Sequence, residues 1–143
     1  MKICVDTSVL LDILKDEYPQ YQAKVYKALS EGKRLLAPVV VYSELMPQFK
    51  GDTKLLGEFL QDHKINIREL DISSAKVATA RWMAYLRKKE KVKCPECGTR
   101  LAFRKHVLSD FYIGGFALTQ CDMILTRDRG IYRTYFKDLT HYE

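Results

Sequence analysis

Residues 2–14 read Lys2-Ile3-Cys4-Val5-Asp6-Thr7-Ser8-Val9-Leu10-Leu11-Asp12-Ile13-Leu14, and this stretch decides the fold class. Its first part, residues 2–6, is a short apolar run with two β-branched residues, which predicts a β-strand. Asp6, Thr7 and Ser8 then supply the short polar side chains that begin helices, and the apolar residues after them predict a helix. A strand that ends on an acid and leads directly into a helix is therefore the first unit of the chain.

The same order of strand and helix recurs along the chain. Short apolar runs predict strands at residues 2–6, 34–37, 65–70, 123–126 and 139–142, the last at an edge of the sheet. Helical periodicity and capping residues predict helices at residues 9–14, 18–29, 39–49, 52–62, 74–89, 108–120 and 128–136. Alternating strands and helices predict a three-layer α/β/α sandwich with a mostly parallel central sheet. At 143 residues the chain is expected to form one domain, residues 1–143, which contains a basic, Cys-containing insert at residues 91–106.

The net charge of +6 favours a polyanionic partner such as RNA or DNA. The cations are clustered in two groups. The first is a basic run made of Arg87, Lys88, Lys89, Lys91, Lys93, Arg100, Arg104 and Lys105. The second is made of Arg127, Arg129 and Arg133, close to Asp128. A solvated helix end explains the first group equally well, because cations also suit the helix dipole there.

The chain shows no targeting or membrane signal. No apolar run approaches the length of a membrane span. Asp6 comes too early for the apolar segment of a signal peptide. We therefore expect a cytoplasmic protein without membrane contact.

Four acids lie at or next to predicted junctions between strands and helices: Asp6, Glu44, Asp110 and Asp128. Sites in open parallel sheets form outside the carboxyl ends of the strands, so one fold can bring all four to one place. Carboxylates that share a small volume repel one another unless a cation neutralises them, and Mg²⁺ or Mn²⁺ prefers such oxygen ligands. These ions activate water and support phosphodiester chemistry. Each acid alone has a simpler interpretation, as a helix cap or a solvated helix residue.

The flanking residues of the four acids resemble the motifs of one family. Val5-Asp6-Thr7-Ser8-Val9-Leu10-Leu11-Asp12 is similar to the opening segment of PIN-domain nucleases, and Tyr42-Ser43-Glu44-Leu45 resembles their second motif. Asp110-Phe111-Tyr112-Ile113-Gly114-Gly115-Phe116-Ala117 resembles the third, and Leu125-Thr126-Arg127-Asp128 the fourth. The order and spacing match along almost the whole chain. The small size resembles that of the VapC toxins of toxin–antitoxin pairs.

This resemblance implies a metal-dependent endoribonuclease. It implies that Asp6, Glu44, Asp110 and Asp128 bind the Mg²⁺ or Mn²⁺ ion, whose bound water attacks an RNA phosphate. Ser8 and Thr126 occupy positions where the family places polar residues that contact the site. The resemblance also implies a small antitoxin partner and a homodimer. Asp12, by contrast, is expected to be a surface or helix-pairing residue and not a ligand.

Other functions stay open at this stage. One is a PIN-type RNA-processing nuclease of ribosomal RNA maturation. A second is a non-catalytic RNA-binding PIN module, against which the presence of all four acids argues. A third is a DNA or flap nuclease, which would need a long arch that this chain lacks. A plain α/β protein whose acids are only helix caps is the fourth.

The four cysteines divide into two kinds. Cys4 and Cys121 lie in predicted core elements and are expected to be buried small hydrophobes. Cys94 and Cys97 have the spacing of a zinc knuckle, which supplies two thiolates of the four ligands that a structural Zn²⁺ needs. Three interpretations remain: a site completed by His106 and another residue, a site shared between two chains, or a loop without metal.

Overall fold

The computed structural model describes residues 1–90 and 107–143 and contains a fully parallel four-stranded sheet. The strands are β1 (Lys2–Val5), β2 (Arg34–Pro38), β3 (Ile65–Arg68) and β4 (Met123–Leu125). Their order across the sheet is β3-β2-β1-β4, with Ile3 opposite Leu35 on one side and Met123 on the other. The parallel sheet that the sequence predicts is therefore confirmed.

Seven helices connect and flank these strands within the described residues. They are α1 (Thr7–Leu14), α2 (Pro19–Ser30), α3 (Val39–Leu45), α4 (Thr53–Asp62), α5 (Ile72–Glu90), α6 (Val107–Gln120) and α7 (Gly130–Tyr135). Crossovers between parallel strands are right-handed. The connections from β1 to β2 and from β2 to β3 therefore cover one face, and α5 and α6 return across the other. This arrangement gives the expected three layers.

β1 lies in the middle of the core. Ile3, Cys4 and Val5 have no exposed surface, as expected for a parallel strand that is covered on both faces. Their neighbours Ile124 and Leu125 on β4 are equally buried. Because both faces of β1 are apolar, its polar neighbours lie at the strand ends, and Asp6 is the first residue after β1.

Two glycines allow the helices to approach closely. A Cβ atom at Gly115 would lie 2.5 Å from the backbone carbonyl oxygen of Ser74, so α6 can pack this tightly on α5 only without a side chain there. A Cβ atom at Gly114 would lie 2.6 Å from the ring of Phe136, in the segment after α7. The small residues that follow Asp110 thus serve helix packing.

The structure differs from the sequence predictions at three element ends. The helix predicted over residues 39–49 ends at Leu45 and continues as a 3-10 turn, Met46–Phe49, because Pro47 cannot donate a helical hydrogen bond. The last helix begins at Gly130 and not at residue 128. The prediction of a strand over residues 139–142 was wrong. This segment forms one isolated parallel bridge, between Ile124 and His141, and the described sheet has four strands.

Other predictions have mixed outcomes. Cys4 is buried as expected, whereas Cys121 is only half-buried at the end of α6. Cys94, Cys97 and His106, and with them the zinc hypothesis, lie outside the described residues, as does most of the basic run. Among the helices that the structure describes, none is long and apolar enough to cross a membrane.

Candidate active site

Asp6 is held by three hydroxyl groups at the carboxyl end of β1. Thr126 Oγ1 lies 2.7 Å and Ser8 Oγ 2.9 Å from Asp6 Oδ2, while the Tyr132 hydroxyl donates to Oδ1 over 3.2 Å. Asp6 is 3% exposed, and its side chain makes no capping hydrogen bond to the backbone of α1. The interpretation of Asp6 as a simple helix cap is therefore wrong, because its oxygens are committed to side chains of three other residues.

The pKa of Asp6 is raised above its usual value. Burial is the largest cause, and the negative charge of Glu44 acts in the same direction. The hydrogen bonds from Thr126, Ser8 and Tyr132 lower the pKa but do not offset the burial. A carboxylate in this state gains from a nearby cation, because a positive charge favours its ionised form.

Glu44 lies on α3 and is anchored by two hydroxyl groups of other helices. Thr7 Oγ1 donates to Glu44 Oε1 over 2.8 Å, and Ser109 Oγ donates to Oε2 over 3.2 Å. Thr7 begins α1 and Ser109 lies in the first turn of α6. Glu44 is half-buried and therefore is not a freely solvated helix residue.

Asp110 is placed on the same side by the first turn of α6, next to Ser109. Its charge, together with that of Asp6, helps to raise the pKa of the Tyr132 hydroxyl well above its usual value; burial is the largest cause. Tyr132 is 1% exposed. Both acids therefore act on one buried hydroxyl group, and Asp6, Glu44 and Asp110 surround the same end of β1.

Asp128 joins this group through Thr126. The Asp128 amide donates to Thr126 Oγ1 over 3.1 Å, and that oxygen lies 2.9 Å from the carbonyl oxygen of Asp128. Thr126 has one hydroxyl hydrogen, so it donates to Asp6 or to the Asp128 carbonyl at any moment. The carboxylate of Asp128 accepts a 3.4 Å hydrogen bond from the Gly130 amide and is half-buried. We call the edge of the sheet that carries Asp6, Glu44, Asp110 and Asp128 the mouth.

The mouth fits a partly hydrated divalent cation. Within residues 1–90 and 107–143, no group of three or more His, Cys, Asp or Glu side chains is arranged to hold a metal ion directly. Mg²⁺ in proteins commonly keeps several waters and binds through one or two carboxylates, so it needs no such cage. The oxygen-rich donors and the raised pKa of Asp6 suit an ion of this class.

Sequence reasoning missed two hydroxyl groups in the mouth, those of Ser109 and Tyr132, and misplaced one acid. Asp12 was expected at the surface or in helix pairing, yet its side chain is 2% exposed and accepts a 2.7 Å hydrogen bond from Arg127 Nε. A useful signal was available for Asp12, because a charge inside the apolar run of α1 needs a buried partner.

The fold and the mouth together define a class: parallel α/β proteins that gather acids at the carboxyl end of the first strand. The sequence matches the family model described as PIN domain over residues 3–137. The chain therefore belongs to the PIN domain family. A search of curated proteins found no significant sequence match.

Solved structures of toxin–antitoxin proteins have the same fold. VapBC2 from Rickettsia felis, solved bound to a DNA fragment from its promoter, matches with a TM-score of 0.70 at 11% identity, covering 99% of this chain and 98% of that one. VapBC-1 from nontypeable Haemophilus influenzae matches with a TM-score of 0.69 at 15% identity, covering 100% and 98%. A toxin–antitoxin complex from Klebsiella pneumoniae matches with a TM-score of 0.55 at 16% identity, covering 92% and 91%. At these identities the likeness concerns the fold.

Proposed function

We propose that this protein is a divalent-metal-dependent endoribonuclease and the toxin of a toxin–antitoxin pair. The observation that carries the proposal is the state of Asp6, a buried carboxylate with a raised pKa that faces Glu44. Such a group is costly to keep in a fold unless a bound cation offsets its charge. Membership of the PIN domain family supports the nuclease assignment.

The residues that would hold Mg²⁺ or Mn²⁺ are Asp6, Glu44, Asp110 and Asp128, directly or through waters of the ion. When bound, the ion lowers the pKa of a water and offsets charge on the phosphate during hydrolysis. The hydroxyl groups of Ser8, Thr126 and Tyr132 fix the orientation of Asp6. Thr7 and Ser109 fix Glu44 in the same way. These hydroxyl groups are positioning residues, because they act through the acids.

We also propose an antitoxin partner that binds at the mouth. A small protein that places an Arg or Lys in the mouth would form charge-assisted hydrogen bonds with the carboxylates and displace the metal ion. The structural neighbours from Rickettsia felis, Haemophilus influenzae and Klebsiella pneumoniae, described as VapBC or toxin–antitoxin structures, support a partner of this kind. We further propose a homodimer, which would place two mouths along one groove for RNA.

The decisive experiment is a cleavage assay on transfer, ribosomal and messenger RNA with Mg²⁺ or Mn²⁺. We expect the purified chain to cut RNA, and we expect Asp6→Asn and Asp110→Asn to abolish cutting while the fold is retained. Asp122→Asn is the matched control, because Asp122 lies at the opposite end of the sheet, where its side chain accepts a hydrogen bond from the Lys2 amide. Full activity of either mouth variant, or of the wild-type chain in excess chelator, would contradict the proposal.

A further inference from the structure

Arg127 lies between two residues of the mouth but directs its side chain away from it. Its backbone amide donates to Ser8 Oγ over 3.2 Å. Its side chain reaches α1, where Nε donates to Asp12 Oδ2 over 2.7 Å. Asp12 is 2% exposed, so the guanidinium is tied to a buried and therefore immobile acid.

Tyr18 holds the same guanidinium from another direction. The central carbon of the guanidinium lies 4.4 Å from the centroid of the Tyr18 ring. Tyr18 precedes α2 with a left-handed backbone (φ 48°), a conformation that non-glycine residues seldom adopt. Arg127 therefore loses little further freedom when it binds a ligand, because an ion pair and a ring already fix it.

The outer part of the guanidinium is available for binding. Arg127 Nε is used by Asp12, and the Nη1 and Nη2 groups form no further hydrogen bond to the residues that the structure describes. The side chain keeps 37% of its surface exposed. Two adjacent N–H donors on a planar, permanently charged group match the oxygens of a phosphate.

The Arg81 side chain shows what a purely structural arginine looks like in this fold. Its Nη1 donates to the Tyr135 carbonyl oxygen over 3.0 Å and to Asp138 Oδ1 over 2.5 Å, and its Nη2 donates to Asp138 Oδ2 over 2.8 Å. The guanidinium also covers the ring of Phe136. Both outer nitrogens of Arg81 are therefore used inside the protein, whereas those of Arg127 form no hydrogen bond to residues 1–90 or 107–143.

We propose that Arg127 binds a phosphate of the RNA substrate beside the mouth, with Asp12 as its positioning residue and Tyr18 as its support. This inference rests on the proposed function. Asp12 follows Thr7 by five residues on α1, which is about 7.5 Å along the helix axis. The arginine therefore suits a phosphate next to the scissile one. A mouth of four acids repels a polyanion, and a fixed cation at this distance offsets that repulsion.

The test measures RNA binding without cleavage, in the Asp6→Asn chain with chelator and a labelled single-stranded RNA. The dissociation constant is measured over a series of salt concentrations. The key variant adds Asp12→Asn and Arg127→Gln together, which removes the cation without leaving a buried unpaired carboxylate. The matched control adds Arg81→Gln and Asp138→Asn, which changes the net charge equally at the other ion pair.

For the Arg127 variant we expect affinity at low salt to fall by roughly tenfold or more, the range for a hydrogen bond to a charged group. The slope of log affinity against log salt should become shallower by about 0.7, the value for one lost contact to a single-stranded phosphate. The Arg81 variant should keep the slope and affinity of the Asp6→Asn chain. Melting temperatures establish that every variant is folded.

Two single variants separate charge from position. Asp12→Asn keeps the charge of Arg127 but no longer fixes its position. The slope of log affinity against log salt should therefore be unchanged while the affinity falls. Arg127→Lys should also keep the slope, because one charge remains, but it loses the Nε hydrogen bond to Asp12. An affinity loss in both variants with an unchanged slope supports Asp12 as a positioning residue.

The failures of the two proposals can be told apart. If the wild-type chain cuts RNA but the Arg127 and Arg81 double variants have equal slopes, the phosphate site is overturned and the proposed function stands. In that case Arg127 is left as a candidate contact for carboxylates of a protein partner. If neither the wild-type nor the Asp6→Asn chain binds RNA, both proposals are overturned.

Discussion

Two arginine–aspartate pairs, each stacked on an aromatic ring, lie in different regions of the molecule and are built in opposite ways. Beside the mouth, Arg127 is 37% exposed and its partner Asp12 is 2% exposed. We call the other region, made of Arg81, Tyr135, Phe136 and Asp138, the clamp. In the clamp Arg81 is 28% exposed and Asp138 is 54% exposed.

The difference shows what each pair is built to do. In the clamp Arg81 uses both outer nitrogens to hold the segment after α7 against α5, so these donors already form hydrogen bonds within the protein. Beside the mouth the buried Asp12 holds Arg127 by one nitrogen only, and the outer donors stay at the surface. Identical side chains thus stabilise the fold in one region and present a charge in the other.

The largest expected contrast is in catalysis. We expect Asp6→Asn to abolish detectable RNA cleavage, a loss of at least about 10³-fold in rate, because metal-ion catalysis supplies several kcal/mol and each 1.36 kcal/mol is a factor of ten. Asp138→Asn in the clamp should leave the rate unchanged. Cleavage rates of the two variants at saturating Mg²⁺ measure this, and a comparable loss in both would remove the functional distinction between the regions.

A second contrast concerns stability. Arg127→Ala should lower the free energy of unfolding by roughly 3 kcal/mol, because it leaves Asp12 buried without its partner. Arg81→Ala should cost about 1 kcal/mol, since its partner Asp138 is half exposed and returns to water. Urea unfolding of both variants gives the two values. Equal losses would mean that burial of Asp12 does not decide the strength of the pair.

A third contrast separates two buried tyrosines. Tyr132→Phe removes a donor to Asp6 and should weaken Mg²⁺ or Mn²⁺ binding by roughly 10- to 100-fold, the usual effect of losing a group that orients a metal ligand. Tyr142→Phe is the control, because the Tyr142 hydroxyl donates over 2.6 Å to Glu31, outside the mouth. Calorimetric titration with each metal measures the affinities. If Tyr132→Phe binds metal like wild type, Tyr132 does not act through Asp6.

The smallest expected contrast is in the response to acid without metal. Burial raises the pKa of Asp6, so the ionised carboxylate lowers the free energy of unfolding. This loss of stability disappears as the pH falls through the pKa of the folded state towards 3.8, the ordinary value for an Asp. The pKa of Asp138 is lowered by Arg81, so its contribution is present above 3.8 and is lost as the pH falls through its folded pKa.

For Asp138 the effect should be under about 1 kcal/mol, because the side chain is largely solvated. Titration of the two side-chain carboxyl signals by NMR measures both pKa values directly. Opposite displacements from 3.8 are expected for Asp6 and Asp138. If both pKa values were shifted in the same direction, the two regions would not differ in their effect on the pKa of an acid.

Most of the architecture could be predicted from local patterns. Strand and helix periods are properties of neighbouring residues, and they placed all seven helices and all four strands that the structure describes. The errors lie at element ends, where local preference competes with long-range pairing. The segment after Leu139 forms a single bridge to Ile124, because hydrogen bonds there depend on the position of β4.

The site was predictable only in part, for a similar reason. Asp6, Glu44, Asp110 and Asp128 could be nominated because each lies at or next to a predicted junction between a strand and a helix. Their hydrogen-bond partners could not be predicted, since Tyr132 reaches Asp6 across 126 positions of sequence and Arg127 reaches Asp12 across 115. Patterns among neighbouring residues do not indicate which distant side chains form hydrogen bonds with one another.

The sequence by itself determined the order of elements, the parallel sheet and which acids stand at its carboxyl edge. These follow from local conformational preference and from the rule that parallel strands end on the same side. Only the tertiary structure decided which hydroxyl groups hold Asp6 and Glu44, and which arginine keeps its outer donors at the surface. Those outcomes depend on burial and on contacts between distant residues, which exist only once the layers have packed.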